Sequence, residues 1–298
     1  MRPLSACVFV SLILITSGCV SQTGDDSSIS GVNGDESNDN IPTWDLGHWN
    51  RYKDEYVMID SNHYSHPGVK STIDDGLGLG WKDGYYLTVQ GNGGSFSGAG
   101  MQGGTLTFLS DVYDNTGYNM SDGKIIVRGN ANNAVGFEMN GGSITIDGDC
   151  KRLVGWKMKG GKVSIRGNAG DNIGENMQGG EIEIFGGAGN TIGYQMFGGD
   201  IIIHADAGNY AGADMKGGSI TIDGKAGNNI GNRMENGIIT VNCNNVVSGE
   251  TCAEFIGAGM KGGKIYIKGK AEVASISPIG GEIWEYWGTS QQTRLFPS

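Results

Sequence analysis

Short segments in which aliphatic residues stand two apart, with mostly polar residues between them, recur along this chain. Lys162-Val163-Ser164-Ile165-Arg166 is one, and Glu181-Ile182-Glu183-Ile184 and Ser219-Ile220-Thr221-Ile222 are others. Alternation with a period of two describes a strand with one buried face. The segments keep step with a methionine: Met101, Met120, Met139, Met158, Met177, Met196, Met215 and Met234 are each 19 residues apart, and Met260 follows after one interval of 26. Counted from its Met, each unit carries glycine at the third and fourth places and aliphatics at the sixth and eighth. Glycine follows at the tenth, Ala at the twelfth, Ile or Val at the sixteenth and glycine at the seventeenth; Gly160, Gly161, Val163, Ile165, Gly167, Ala169, Ile173 and Gly174 fill these places in the unit of Met158. A helix is excluded, because each of these glycines would cost about 1 kcal/mol there relative to Ala.

A unit of one short strand and glycine turns cannot bury a core by itself. It does so by stacking on copies of itself, about 4.8 Å apart. The pattern therefore predicts an all-β, single-stranded parallel β-helix of about ten coils, roughly 50 Å long. The two strand aliphatics, the Ala and the Met form four inward ladders. Asn133, Asn190, Asn209 and Asn228 at the fourteenth place are expected to take up positive φ in a turn. The repeat spans residues 85–271, with a bulge at 243–252 where the long interval falls. Segments 41–84 and 272–298 lack the period and are rich in aromatics, as caps of a solenoid would be.

The text Gly167-Asn168-Ala169-Gly170-Asp171-Asn172-Ile173-Gly174-Glu175-Asn176-Met177-Gln178-Gly179-Gly180 resembles the repeat of the glycine-rich β-helix subunit of archaeal formylmethanofuran dehydrogenase. It is also similar to the C-terminal domain of the glutamate synthase large subunit. The resemblance covers about 85–271 and implies a right-handed β-helix with a scaffolding role. In those enzymes the chemistry lies on other subunits or domains, so the resemblance implies no catalytic residues here.

The two ends change the picture. Ala6 to Ile15 is an apolar run after Arg2, broken only by Ser11 and closed by Thr16-Ser17-Gly18-Cys19. Residues 1–18 thus resemble a lipoprotein signal peptide, with Cys19 acylated as the mature N-terminus and the protein held outside the cytoplasm on a membrane. An uncleaved membrane anchor is the alternative. Residues 19–40 are nearly devoid of apolar side chains and are expected to be a disordered tether. Export permits disulfides, and Cys243 and Cys252 bracket the bulge as a candidate pair. Cys150 replaces the Ala of the twelfth place and is expected to be a small core residue.

Composition excludes more than it selects. The chain has 55 glycines but only five prolines and no Gly-X-Y period, so it is not collagen. A net charge of −11 argues against nucleic acid as a partner. One Met per coil at an inward place is core filling rather than a soft-metal site. No Gly-Lys-Ser/Thr follows the glycine runs, and aliphatics stand where calcium nonapeptides need Asp. His63-x-x-His66, near Asp60, is a weak metal candidate with too few local ligands, and His204 faces outward without a partner signal. Just before successive Mets stand Tyr118, Phe137, Trp156, Glu175 and Tyr194, a row that stacked coils would align. It serves either as a binding track for a glycan or protein partner or as a stabilising corner ladder.

No paired carboxylates mark a glycosidase or lyase. The expected function is a non-enzymatic scaffold, spacer or binding module, requiring no cofactor and anchored through Cys19. The alternatives are a structural component of a formylmethanofuran dehydrogenase type redox complex and a carbohydrate-binding β-helix.

Overall fold

A computed structural model of the protein describes residues 57–58, 86–89, 92–244, 250–273, 278–287 and 291–296. The expected signal 1–18, Cys19, the tether 19–40, and His63 and His66 lie outside the described residues. Every described element is a strand, in agreement with the expected all-β class. These are β1 (Val57–Met58), β2 (Tyr86–Val89), β3 (Gln102–Phe108), β4 (Asp122–Val127) and β5 (Ser143–Ile146). Then follow β6 (Lys162–Ile165), β7 (Glu181–Ile184), β8 (Asp200–Ile203), β9 (Ser219–Ile222) and β10 (Ile238–Val241). The last are β11 (Thr251–Ile256), β12 (Lys264–Ile267), β13 (Lys270–Val273), β14 (Glu282–Trp287) and β15 (Gln291–Phe296).

Among the described residues one 13-stranded sheet runs in the order β1 to β10, then β12, β14 and β15. From β2 to β14 every neighbour in it is parallel and every pairing joins equivalent places of successive coils: Val163 lies beside Ile182 and Ile165 beside Ile184. The chain is thus a parallel β-solenoid of about ten turns. Its ends reverse direction: β1 pairs antiparallel with β2 and β15 antiparallel with β14. The parallel register itself continues through β14, one strand beyond residue 271.

The core is a set of ladders, each formed by one place of the repeat. Ile182 and Ile184, Ile201 and Ile203, and the corresponding pairs of the other coils are buried, as is every Met from Met101 to Met260. The Ala ladder is present too, with Cys150 between Ala131 and Ala169 as a parallel bridge. The structure adds a fifth inward ladder to the four expected. Val135, Val154, Ile173, Ile192, Ala211, Ile230 and Ile256 at the sixteenth place are all 0 % exposed. At the N-terminal end this ladder turns polar: Ser97 and Thr116 occupy the place, fully buried. Their hydroxyls donate to the carbonyls of Gly94 and Tyr113, so neither is left unpaired.

The expectation for the fourteenth-place asparagines is corrected. Left-handed φ falls instead on the fifteenth and nineteenth places, such as Asn172 (64°) and Asn176 (56°), and on glycines. Even Leu153 (62°) and Thr191 (64°) adopt it, because the corner geometry is imposed by coils above and below and overrides single-residue preference. The fourteenth-place side chains have another task, described below.

Candidate functional site

Three sets of side chains recur once per coil outside the core. The first is the corner row of the eighteenth place. Tyr118, Phe137 and Trp156 stand in one stack, with ring centroids 5.0 and 4.4 Å apart, and Phe96 closes its N-terminal end edge-on at 6.1 Å. Lys157 lies over Trp156, its Nζ 4.7 Å from the ring centroid. Stacked pairs of this kind contribute about 0.5–1.5 kcal/mol each beyond their burial. Phe137 is thus flanked by rings on both sides, and Tyr118 and Trp156 each turn one face to it. Glu175 interrupts the row; it accepts from the Asn172 side chain at 2.8 Å. Tyr194 stands beyond it, with its hydroxyl accepting from Gln195. The Trp156 indole Nε1 is buried without a hydrogen-bond partner among the described residues; stacking on Phe137 fixes that ring.

The second set is a pair of Asx ladders. At the eleventh place, the Oδ1 of Asp111 accepts the backbone N–H of Asn130, Asn130 that of Asp149, Asp149 that of Asn168, and Asn168 that of Gly187, at 2.7–2.8 Å. At the fourteenth place, Asp171, Asn190 and Asn209 do the same for Asn190, Asn209 and Asn228. Each rung occupies the space of a missing side chain in the next coil. A Cβ on Gly186 would stand 2.6 Å from the Asn168 Oδ1, and one on Gly208 2.6 Å from that of Asn190. The tenth place follows this rule from Asp111 onward; before it, Ser110 stands above Asn92 and donates its hydroxyl to the Asn92 Oδ1 at 2.6 Å. The place is glycine above Asp111, Asn130, Asp149, Asn168 and Asp206, but Ala205 above Gly187 and Cys243 above Lys225, the coils that lack an Asx rung. These polar side chains serve coil-to-coil cohesion.

The third set lies on the outer face of the sheet. Asp147 bridges Arg128 at 2.8 Å and Arg166 at 2.6 Å along the ninth place. Farther on, the Phe185 ring stacks on His204 at 4.9 Å. Contrary to expectation, His204 has partners: its Nδ1 meets Asp223 at 2.9 Å and its Nε2 meets Glu183 at 3.2 Å. Only the imidazolium can donate to both carboxylates. Partial burial opposes that charge, but the hydrogen bonds to Asp223 and Glu183 outweigh it and raise the His204 pKa. The hydrogen bond from Lys162 is the main cause holding Glu183 below the usual range. Burial works against ionising Asp223, yet hydrogen bonds from Asn242 and His204 lower it as well. The two carboxylates take opposite ring nitrogens, so they clamp the ring rather than converge with it on one point. Sequence reasoning missed this cluster because its members are 19 to 21 residues apart.

Cys243 and Cys252 lie at disulfide distance, with Cα atoms 5.9 Å apart, and clasp the inserted segment. Gly269 of the next coil leaves room beside them: a Cβ there would meet the Cys252 Sγ. Cys150 is free and buried, and burial is the chief cause raising its thiol pKa. Near the C-terminal end, an open groove of about 630 Å³ runs over Gly237, Gly263 and Gly281 between Lys264 and Arg294. Glu282 pairs both cations there, at 3.5 and 3.1 Å.

Fold and side chains together define a β-solenoid of 19-residue coils. No family model matches the chain, and no curated protein matches it.

Proposed function

We propose that this protein is a non-catalytic, exported β-helix lipoprotein, a rigid scaffold, spacer or binding module held at the extracytoplasmic membrane surface through Cys19. The observation that carries the reading is how the polar residues of the repeat are used. Asx side chains that could otherwise serve chemistry accept backbone N–H groups of the next coil, and the aromatic row stacks upon itself. Such side chains stiffen a rod. The apolar run before Gly18-Cys19 and the acidic segment after it supply the anchor and tether of this reading. One acyl chain binds a membrane only marginally, so stable attachment needs more than one.

Detergent phase partitioning of cell fractions with lipid labelling tests it. The wild-type protein should enter the detergent phase carrying label, and Cys19→Ser should carry none. The repeat text favours a second reading, a structural component of a formylmethanofuran dehydrogenase type complex. Recovery from cytosol in stoichiometric association with a molybdenum or tungsten enzyme would establish that reading instead. Carbohydrate binding by Tyr118, Phe137, Trp156 and Tyr194 is the weaker proposal, because the first three rings stack on one another and Glu175 separates them from Tyr194.

A further inference from the structure

The outer face of the sheet is divided into halves of opposite charge. On β4 to β6 the fifth, seventh and ninth places carry Lys124, Arg128, Lys162 and Arg166 against a single acid, Asp147. On β7 to β9 the same places carry Glu181, Glu183, Asp200 and Asp223, with His204 the only base. The sign changes between the coils of Met158 and Met177. Apolar side chains lie on the same face: Phe185 and Leu109 are each 48 % exposed, and Ile126 and Ile202 are half-buried.

A face split in this way is complementary to itself, and symmetry restricts how. Two copies can meet face to face about a two-fold axis along the rods or along the strands. An axis along the rods sets the fifth place of each coil opposite the ninth of the same coil, which brings Lys162 against Arg166. An axis along the strands reverses the order of coils and keeps the places aligned. Placed between the coils of Met158 and Met177, it sets Lys162 opposite Glu181 of the second copy and Arg128 opposite Asp223. It also sets Asp147 opposite His204 and Arg166 opposite the Phe185 ring, a cation–π pair. Moving the axis onto either adjacent coil would set Lys162 or Glu181 against its own copy. Like charges so placed are strongly disfavoured. A shift of one whole coil toward β4 opposes no like charges but leaves two ion pairs, Lys124 with Glu181 and Arg166 with Asp147, against three with the axis at the charge reversal, so the central register pairs the most charge.

We infer that this face is the interface of an antiparallel homodimer, with the two rods side by side and the charge reversal at its centre. The eight coils from Met101 to Met234 would be covered in each copy. At about 4.8 Å per coil and about 17 Å of strand width, that is roughly 650 Å² per copy and roughly 1,300 Å² in all. A total of this size lies within the range of specific interfaces, about 1,200–2,000 Å². The intrachain pairs remain, Lys162 with Glu181 at 2.7 Å among them, so association extends existing ion networks. The apolar residues supply the water-excluding contacts, and the charges set direction and register.

The test is sedimentation of the full-length protein, detergent-solubilised if anchored, in low salt and in about 1 M salt. A dimer is expected in low salt and weakened association in high salt, where the Debye length falls to about 3 Å. Lys124→Glu with Lys162→Glu makes every charged fifth place from β4 to β8 acidic, with Arg128 and Arg166 kept. Glu181→Lys with Asp200→Lys makes the same row basic, with Glu183 and Asp223 kept. Each double variant alone should dissociate at least about a hundred-fold more readily, as the cost of opposed like charges implies. An equimolar mixture of the two should form one-to-one heterodimers, which also shows that both variants fold. Lys151→Glu with Lys159→Glu, reversals away from this face, should leave the dimer intact. A wild-type protein that is monomeric at tens of micromolar in low salt overturns the inference. So does a wild-type dimer that both face variants leave unchanged.

Discussion

Strand β8 offers an internal control on the assignment of inside and outside. It contains three consecutive isoleucines, Ile201, Ile202 and Ile203, of which the first and third are fully buried and the second is half-buried on the outer face. The three are chemically identical and adjacent, so any difference on truncation to Ala comes from the face each occupies. Ile203→Ala removes three carbons from a continuous ladder between Ile184 and Ile222. The core cannot close over the gap without disturbing both neighbours, which places the cost within about 2–5 kcal/mol. Ile202→Ala removes the same carbons from a surface that keeps some contact with water, and should cost about 1 kcal/mol or less. With a urea dependence of about 2–3 kcal/mol per molar, Ile203→Ala should lower the midpoint by about 1 M and Ile202→Ala by a few tenths. Circular dichroism at low protein concentration keeps self-association out of the comparison. Hydrogen exchange adds a second reading. In a solenoid each coil contacts only its neighbours, so amides of the Met177, Met196 and Met215 coils should lose protection first. Equal midpoint shifts at Ile202 and Ile203 would refute the ladder assignment.

Three further outcomes are expected. Gly187→Asn should destabilise, because its Oδ1 would meet the Cβ of Ala205. Adding Ala205→Gly should recover most of the loss, and a double-mutant cycle in urea with no coupling would sink the rung-and-gap rule. His204 has a folded pKa above its ordinary value, so the stability it contributes is full below about pH 6.5 and is lost as pH rises through the folded pKa. Compared with His204→Gln, the wild-type advantage should be present at pH 6 and decline as pH rises through the folded pKa, which an NMR titration of the ring should show to be raised. Cys243 and Cys252 should react with an alkylating agent only after reduction, and Cys150 only after denaturation. Labelling of Cys150 in the native protein would contradict its place in the core.

The sequence by itself determined the architecture. A 19-residue period with aliphatics at the sixth and eighth places leaves a short chain segment one way to bury its apolar side, which is to stack on the next copy. The phase of the repeat alone marks Cys150 as a core residue, since it stands where other coils have Ala. The pairing of Cys243 with Cys252 was legible for a related reason: the seven extra residues of the 26-residue interval have to leave the coil and return to it. Other features were decided only in three dimensions. Left-handed φ at Leu153 and Thr191 belongs to the corner and contradicts what those residues prefer alone. The clamp on His204 and the Arg128–Asp147–Arg166 bridge join residues one coil apart, a distance at which local patterns carry no signal. The substitution of Ala205 above Gly187 was visible as text, but it acquired meaning only when stacking set the tenth place of one coil against the eleventh-place oxygen of the coil before. Period fixes which residues share a ladder because every coil has the same length. What the outward side chains do depends on the particular neighbour above and below, and tertiary stacking alone supplies that neighbour.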